Sequence, residues 1–390
     1  MKEHLTETAT QEKTTRVKPN DIHLMFFLSR ATPLSCWDRI GILEREIAIY
    51  KRLSSHLGGV NILTSGGSEE LAYQEDLGEI GILYNRWGLS PNAYSLLAPF
   101  LHWRVLREAT IYKTNQLDGA WTAIIAGQIH KKPVIVRAGY LWAEFFKAEE
   151  GRNFKAAVIH RLQTFSFRKA HRIIFTTEAM KRQVSQTYNL QSEKISVIPN
   201  YVDTERFRPM PEVEPISGRV CCIGRLHPRK NLCALVRAVS QTPGASLVLI
   251  GQGEQRQELE ELALRCKVDV QFTGVLQHNQ IPIELTRSEI SVLPSLFEGH
   301  PKALIEAMAC GVAVLGTDVE GIRNVIQHEE TGLLCPPTVE GITSSLQRLL
   351  ADAELRRRLG REAQAFVEQE FSLKRVTEME LAILQQVQDD

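Results

Sequence analysis

Strand-like and helix-like segments alternate in two series along this chain of 390 residues, with one interruption between the series. Short apolar runs are followed by helical patterns, which is the order typical of parallel sheets covered by helices. The strands predicted in the first series are residues 22–28, 60–64, 132–137, 172–176 and 195–198. Those predicted in the second series are residues 219–223, 246–250, 270–273, 290–293 and 313–316. We therefore expect an α/β protein with two similar halves and a crevice between them.

The interruption is a proline-rich stretch that begins at Asn200. Pro209, Pro211 and Pro215 occur there among acidic residues, a composition typical of a linker between domains. The polar start of the chain predicts a disordered tail. The predicted segments are residues 1–20 (tail), 21–207 (first domain), 208–217 (linker), 218–371 (second domain) and 372–390 (last helix).

Composition excludes several classes of protein. Lys+Arg and Asp+Glu are both 46, so the overall charge argues against a nucleic-acid partner. The seven cysteines form no C-x-x-C pair, which favours free thiols in a reducing compartment. The first residues lack the apolar core of a signal peptide, and no window approaches the roughly 18 apolar residues of a spanning helix. We expect a cytoplasmic protein without a bound metal, because no histidines or acids have ligand spacing.

The segment from Glu298 to Gly311 carries the clearest chemical signal. Glu298 and Glu306 are eight positions apart and bracket a Gly-His-Pro turn that opens into a helical run. The backbone N–H groups at such a helix start can bind an anion, and the two carboxylates can accept hydroxyl hydrogen bonds. A nucleotide-sugar carries both phosphates and hydroxyls. The donor-binding candidates in this segment are Gly299, His300, Lys302, Ala303, Leu304, Ile305 and Glu306.

A basic pair follows the first strand of the second series. Arg225 and Lys230 come after Gly224 in a turn that precedes a helix, and so lie at the carboxyl edge of the predicted sheet, where such folds bind ligands. An arginine can hold a phosphate with two hydrogen bonds, and a lysine supplies a compact positive charge. A solvent-exposed turn is the alternative for these cations. Further along, Val275 follows a strand that ends in glycine, and its backbone can meet a nucleobase, although a plain turn is equally consistent.

The segment from Arg152 to Arg172 is basic and aromatic. It contains six Lys or Arg residues, three phenylalanines, and neither Asp nor Glu. Such a helix can lie on a membrane surface. The alternative is a solvated helix that buries its phenylalanines in the first domain.

Four spaced motifs together resemble the retaining glycosyltransferases of family 4. They are Glu298-x7-Glu306, the Gly-Arg225…Lys230 turn, the run Ile198-Pro-Asn-Tyr-Val-Asp203, and Thr331-Gly-Leu-Leu-Cys-Pro-Pro337. The resemblance covers roughly residues 170–345. It implies the GT-B arrangement, in which two Rossmann-like domains with parallel sheets face each other across a cleft. It also implies that the last helix crosses back to the first domain.

The resemblance further implies roles for individual residues. Arg225 and Lys230 would bind the donor diphosphate, Glu298 the donor sugar and Glu306 the ribose, with Glu298, Arg225 and Lys230 as the catalytic group. The backbone around residues 303–305 would meet the distal phosphate.

Several positions depart from the family pattern. Gly41, a donor-side candidate, stands alone where relatives often have two glycines, and Tyr201 replaces the usual glycine of the hinge. The strand that leads to the acceptor cleft ends in Arg137 and Tyr140, without the usual histidine. These two residues are the acceptor-side candidates.

The predicted function is metal-independent transfer of a hexose-type sugar from a nucleotide-diphosphate donor to a hydroxyl acceptor, with no other cofactor. The acceptor is a polysaccharide, a lipid carrier or a small metabolite. The basic segment favours a lipid-linked acceptor and peripheral contact with the inner face of a membrane. Two alternatives remain open: a non-catalytic nucleotide-sugar sensor or scaffold, and a phosphorylase or epimerase of the same fold.

Overall fold

The computed structural model describes residues 19–141 and 154–390. The tail predicted for residues 1–20 lies outside these ranges, except for a short turn at Pro19–Asp21. Arg152, the first cation of the basic segment, also lies outside them. Among the described residues, no helix combines the length and the apolar character needed to cross a membrane.

Two parallel sheets form the framework. The first has the strand order β3-β2-β1-β4-β5-β6-β7, and the second the order β10-β9-β8-β11-β12-β13. The first sheet contains β1 (His23–Phe27), β2 (Gly59–Leu63), β3 (Gly81–Leu83), β4 (Ile111–Thr114), β5 (Val134–Ala138), β6 (Arg172–Phe175) and β7 (Ile195–Val197). The second contains β8 (Ile216–Ile223), β9 (Ser246–Ile250), β10 (Val270–Gly274), β11 (Ser288–Leu293), β12 (Ala313–Thr317) and β13 (Leu333–Cys335). The α/β class and the two parallel sheets predicted from sequence are confirmed.

Helices cover both faces of each sheet. The described helices before residue 200 are α1 (Leu34–Arg39), α2 (Leu43–Ser54), α3 (Gln74–Leu77), α4 (Pro91–Leu101), α5 (Trp103–Glu108), α6 (Ala120–His130), α7 (Phe154–Lys169) and α8 (Glu178–Tyr188). Those after it are α9 (Leu232–Ser240), α10 (Arg256–Cys266), α11 (Ile281–Thr286), α12 (Lys302–Ala309), α13 (Glu320–Arg323), α14 (Val339–Ala351), α15 (Ala353–Glu370) and α16 (Leu373–Asp389).

The two faces of each sheet pack in separate apolar clusters. One face of the first sheet packs against α1 and α2, and the other packs against α4, α6, α7 and α8. The last helix, α16, contributes Leu373, Val376, Leu384 and Val387 to the cluster on the α2 face. The C-terminal helix therefore packs on the first sheet, although it follows the second in sequence.

Strand order brings the ligand-binding edges together. In both sheets the order reverses next to the first strand: between β1 and β4 in one, and between β8 and β11 in the other. At such a reversal, the loops that follow the two adjacent strands run in opposite directions. They therefore leave a crevice between them at the carboxyl edge of the sheet. The turn after β8 carries Arg225 and Lys230, and the loop after β11 carries Glu298.

Two phenylalanines of the basic segment, Phe165 and Phe167, point into the protein. Phe167 is fully buried in the cluster shared by α4, α6 and α8, and Phe165 packs against the same cluster. Lys155, Arg161, Arg168 and Lys169 on α7 are exposed. Of the two sequence interpretations, the solvated helix with buried phenylalanines agrees with the packing of Phe165 and Phe167.

All seven cysteines are free, as predicted.

Candidate functional site

A cavity of about 1000 Å³ lies between the carboxyl edges of the two sheets. Its walls come from both domains: the loops after β1, β4 and β5 on one side, and those after β8, β9, β10 and β11 on the other. The crevice predicted from the α/β pattern is therefore present and large enough for a nucleotide-sugar, since small-molecule sites range over roughly 300–1,000 Å³.

Lys230 and Glu298 meet at the centre of the second-domain wall. The Lys230 ammonium donates to Glu298 Oε1 at 2.5 Å, and the Ser295 hydroxyl donates to the same oxygen at 2.7 Å. Both side chains of the pair are mostly buried. The two loops also share a backbone bond, from Leu296 N–H to the Arg229 carbonyl at 2.9 Å. Lys230 is therefore held beside the loop that leads into α12.

Arg225 occupies a different position from Lys230. It lines the cavity, but its side chain is 69% exposed and lies 3.4 Å from Glu254. An exposed ion pair of this kind holds the guanidinium weakly. Arg225 is therefore a rim residue that can turn towards an anion, whereas Lys230 is already fixed.

The start of α12 faces the same space. Pro301 precedes the helix and provides no side-chain cap, and His300, Pro301, Lys302 and Ala303 line the cavity. The first backbone N–H groups of a helix have no partner within it, so they present partial positive charge to a ligand. Lys230 and this helix start together form a cationic wall.

Glu306 is one turn further along α12 and is buried against the first domain. Arg45 Nη1 lies 3.3 Å from Glu306 Oε1, and His278 Nε2 lies 3.5 Å from the same oxygen. Burial by itself would raise the pKa of Glu306, but the charge of Arg45 and the contact with His278 outweigh it, so the pKa lies below its usual range. Glu306 is therefore ionised and faces the cavity.

A second ion pair joins the domains beside the first. Lys302 donates to Glu46 Oε1 at 2.6 Å. Burial opposes the ionisation of Glu46, but Lys302 and then Arg45 lower its pKa to about 2. Tyr201, at the position that the sequence analysis assigned to the hinge, donates to the Arg45 carbonyl at 2.6 Å. The tyrosine thus ties the hinge to α2, the helix that carries both interdomain partners.

Two glycines allow the domains to approach each other. A Cβ on Gly299 would lie 2.8 Å from the Gly139 carbonyl oxygen of the first domain. Gly41 has φ +70°, and a Cβ there would lie 2.8 Å from Val275 Cγ1. Side chains at either position would separate the walls, so glycine is required by the close approach itself.

The first-domain wall is centred on Arg137 at the end of β5. Its guanidinium lies 3.4 Å from Glu380 Oε1 and donates to Asn200 Oδ1 at 3.2 Å. Asn200 in turn donates to the His300 carbonyl at 2.7 Å, which links this wall to the second domain. Lys113 also donates to Glu380 Oε1, at 2.8 Å. Two cations therefore share one carboxylate, which leaves this end of the cavity positive.

His300 is a buried neutral histidine. Its ring packs edge-on against Phe371 at 5.1 Å, and Nδ1 has no hydrogen-bond partner among the described residues. Burial, and then the charges of Arg137 and Lys302, lower its pKa to about 3. The folded state therefore binds fewer protons at this site than the unfolded chain between about pH 3 and 6.5. Its contribution to stability is complete above pH 6.5 and is lost as the pH falls.

This behaviour predicts a pH effect for His300→Asn. The free energy of unfolding of the unmodified chain should fall between about pH 8 and about pH 5, and the variant should show a smaller fall. Urea titrations at both values measure it. His102, whose pKa is also lowered, to about 4, is present in both proteins and contributes equally to both. His56→Asn, at an exposed position, is the control. If the free energy of unfolding falls by the same amount between these two pH values in His300→Asn and in the parent, His300 does not have the lowered pKa assigned to it.

Twelve of the fourteen residues named from sequence line the cavity. They are Gly41, Arg137, Tyr140, Arg225, Lys230, Val275, Glu298, Gly299, His300, Lys302, Ala303 and Glu306. The side chains of Leu304 and Ile305 are buried in the apolar cluster of the second domain instead. Only the backbone of these two residues can meet a phosphate, and the individual roles of all fourteen remain predictions.

Sequence reasoning missed cavity residues of both domains and of the last helix. Arg45, Glu46, Lys113, His278 and Glu380 all line the cavity. The Leu-Glu-Arg-Glu run at the start of α2 is recognisable in the sequence as a helix start. The partners of its Arg45 and Glu46, which are Glu306 and Lys302, lie more than 250 residues away. No local pattern identifies such pairs. Among the residues that the structure describes, no group of three or more His, Cys, Asp or Glu side chains is placed to hold a metal ion.

Two facing Rossmann-like domains with a cleft at their carboxyl edges define the GT-B class of protein. Residues 49–206 match the family model of Glycosyltransferase Family 4, and residues 203–366 match that of Glycosyl transferases group 1. The chain belongs to this family of glycosyltransferases, as the spaced motifs indicated.

Curated relatives match over part of their length. Glycogen synthase of Mycobacterium tuberculosis is 26% identical over 227 residues, which cover 56% of this chain and 55% of the relative. The 2-deoxystreptamine N-acetyl-D-glucosaminyltransferase of Streptomyces fradiae is 27% identical over 260 residues, or 60% of this chain and 61% of the relative. The chain thus spans less than two thirds of the length of these proteins.

Solved structures match over nearly the whole chain. Anabaena Alr3699/HepE, in complex with UDP and glucose, aligns with a TM-score of 0.75 and 19% identity, covering 93% of this chain and 99% of that one. Sucrose-phosphate synthase from Thermosynechococcus elongatus aligns with a TM-score of 0.74 and 20% identity, covering 94% and 99%. At these identities the likeness establishes the fold.

Proposed function

We propose that this protein transfers a hexose-type sugar from a nucleotide-diphosphate donor to a hydroxyl acceptor, with retention of anomeric configuration. The observation that carries the proposal is the second-domain wall, where Lys230, the open start of α12 and two ionised or paired carboxylates face one cavity. The UDP and UDP-glucose bound by the Anabaena protein support a donor of this kind. Family membership alone would leave the chemistry of this particular site open.

The cationic wall suits a diphosphate leaving group. Breaking the bond between sugar and nucleotide places growing negative charge on the distal phosphate. Lys230 and the helix N–H groups are already in position, so they stabilise that charge without rearrangement during the reaction. Arg225 would turn in from the rim. These fixed positive charges can act without a metal ion, which is the metal-independent mechanism we propose.

The two carboxylates suit the hydroxyls of the donor. Glu306 is the more buried of the two and would accept hydrogen bonds from the ribose, and Glu298 lies beside Lys230, where it would contact the sugar. Both are paired with protein cations in this structure, at 3.3 Å and 2.5 Å. Since each carboxylate has several lone pairs, a donor hydroxyl can bind alongside the cation or displace it.

The acceptor would bind against the first domain, near Arg137 and Tyr140. The described residues of this wall provide positive charge but no histidine for proton transfer. Contact between the two domains, through the Glu46–Lys302 pair and Gly299, would exclude water from the reacting atoms. A polysaccharide, a lipid carrier and a small metabolite all remain compatible acceptors.

A panel of UDP-, GDP- and ADP-sugars tests the proposal. Calorimetry should show binding of one nucleotide class, and mass spectrometry should show slow hydrolysis of that donor, with transfer when cell lipid extract is added. Failure of every nucleotide to bind would refute the donor assignment. Binding without hydrolysis or transfer would favour the non-catalytic sensor, and phosphate-dependent release of sugar would identify a phosphorylase.

Glu306→Gln should weaken the binding of the accepted nucleoside diphosphate by about fivefold, because hydrogen bonds to an ionised group exceed those to a neutral amide by roughly 1 kcal/mol. The measurement is calorimetry with the free nucleotide. Glu354→Gln, at an exposed position on α15, is the control and should bind as the parent does. Unchanged affinity in Glu306→Gln would exclude the ribose contact.

A further inference from the structure

One face of the first domain is built from a single layer of helices. Helix α6 packs between α4 and α7, and α5 also contacts α6. All of these helices bury their inner sides in the same apolar cluster under the sheet. We call the outward side of residues 91–108, 120–132 and 154–169 the outer helix face.

Large apolar side chains are exposed on this face. Phe100 is 55% exposed and Leu96 is 54% exposed, and Leu97 and Trp103 are exposed beside them. Positions 96, 97 and 100 recur at the spacing of one side of α4, and Trp103 is the first residue of the next helix, α5. Single exposed leucines are normal on protein surfaces, but a clustered set that includes Phe and Trp marks an interaction site.

Ring contacts connect the exposed residues to the rest of the face. The Trp103 ring lies 4.5 Å from His130 at the end of α6, and Trp87 lies 5.3 Å from His102. Arg86 stacks over Trp87 at 4.5 Å. Trp87 and Trp103 are therefore held in place by ring contacts with the protein.

The charge on the outer helix face is strongly one-sided. Residues 91–108, 120–132 and 154–169 contain eight Lys or Arg residues and a single acid, Glu108. The cations are Arg104, Arg107, Lys131, Lys132, Lys155, Arg161, Arg168 and Lys169. The neighbouring helix α8 adds Glu178, but also Lys181 and Arg182. Since the whole chain has 46 residues of each sign, this excess is local.

We propose that the outer helix face docks on an anionic lipid bilayer. Cations near such a surface are attracted to its acidic headgroups, while exposed Leu, Phe and Trp side chains enter the boundary between headgroups and acyl chains. Tryptophan is enriched at that depth of the membrane. The inserting residues are those of α4 and α5. Phe165 and Phe167 of the basic segment contribute nothing here, because they pack in the core.

Charge also argues against a second copy of this chain as the occupant. Pairing two copies of this face would oppose two surfaces that each carry a large positive excess, and like charges across an interface cost several kcal/mol. An anionic bilayer complements both the charge and the apolar residues. The inference concerns the surface alone, so it does not depend on the reaction proposed for the cleft.

Co-sedimentation of the full chain with vesicles tests the proposal. We expect binding to phosphatidylcholine mixed with phosphatidylglycerol, little binding to phosphatidylcholine alone, and weaker binding at high salt. The double variant Leu96→Ser with Phe100→Ser should partition about tenfold less. Leu264→Ser is the matched control, since Leu264 is 79% exposed on α10 of the second domain. It should bind as the parent does.

Variants that remove single charges measure the electrostatic contribution to vesicle binding. Arg161→Gln and Arg168→Gln should each lower partitioning by about fivefold, which corresponds to about 1 kcal/mol for each cation near the surface. Arg357→Gln with Arg361→Gln, exposed on α15, is the control pair. Melting temperatures and nucleotide binding should be unchanged in every variant.

Three results would overturn the proposal. The first is no sedimentation with anionic vesicles at low salt. The second is an equal loss of binding in Leu264→Ser and in the α4 variant. The third is a dimer in sedimentation velocity that the Phe100→Ser substitution dissociates, because this would identify a second copy as the occupant of the face.

Discussion

Replacing Lys230 by alanine should lower kcat by about two orders of magnitude or more. Loss of one preorganised donor to a developing charge costs roughly 3–4 kcal/mol of transition-state stabilisation. Lys230 meets this description because it is mostly buried, fixed by Glu298 at 2.5 Å, and held beside the loop that leads into α12. Steady-state kinetics at saturating donor measure the effect. Near-normal turnover under those conditions would contradict the role.

Three comparisons make this result interpretable. Lys230→Ala leaves the mostly buried Glu298 carboxylate without its cation, which can lower stability. The double variant Lys230→Ala with Glu298→Gln removes that unpaired charge. Comparing the free energies of unfolding of the single and double variants shows whether the lost activity comes from lost stability or from the lost positive charge. Lys230→Arg keeps the charge and should recover part of the activity. Arg225→Ala should have a smaller effect than Lys230→Ala, because Arg225 is 69% exposed at the rim and must move to reach a phosphate.

Replacing Glu380 by leucine should destabilise the first domain by about 3–5 kcal/mol, the range for breaking a buried ion pair by removing one partner. Glu380 Oε1 holds both Lys113 and Arg137, and Glu380 and Lys113 are almost completely buried. Without the carboxylate, two cations remain in a region of low polarity. Burial already lowers the pKa of Lys113, although Glu380 opposes that effect.

Urea unfolding followed by tryptophan fluorescence measures this loss selectively. All five tryptophans lie between residues 37 and 142, so the signal reports the first domain. Glu378→Gln, an exposed position on the same helix, is the control and should change stability by less than about 0.5 kcal/mol. Adding Lys113→Met to Glu380→Leu should recover part of the loss. Equal free energies of unfolding for Glu380→Leu and Glu378→Gln would show that the ion pairs of Glu380 with Lys113 and Arg137 do not stabilise the packing of α16.

The strands that sequence patterns predicted are those with continuous apolar runs. Residues 246–250, for example, are the strand that the structure contains, Ser246–Ile250. The strands that were missed had no such signal. Gly81–Leu83 and Leu333–Cys335 are three residues long, and Ile111–Thr114 contains Lys113. A buried lysine looks like a surface residue until its partner Glu380, 267 positions away, is in place.

The basic segment shows how a correct pattern can still be misread. Sequence identified the excess of positive charge, and the charged residues of α7 are indeed exposed. It could not tell which aromatic residues were exposed. Phe165 and Phe167 pack inwards, while Leu96, Leu97, Phe100 and Trp103, more than 50 residues earlier, face outwards. Exposure depends on which helix side meets the sheet, and that follows from packing.

Sequence alone determined the α/β class and the two series of parallel strands, and it named residues of the second-domain wall that line the cavity. These features depend on local patterns: strand and helix periodicity, a proline-rich linker, and short motifs whose residues stay close along the chain. Only the tertiary structure decided that Arg45 contacts Glu306, that Glu46 holds Lys302, and that Glu380 joins the last helix to the cavity. These contacts span two domains and more than 240 residues, so they exist only after both sheets have formed and packed.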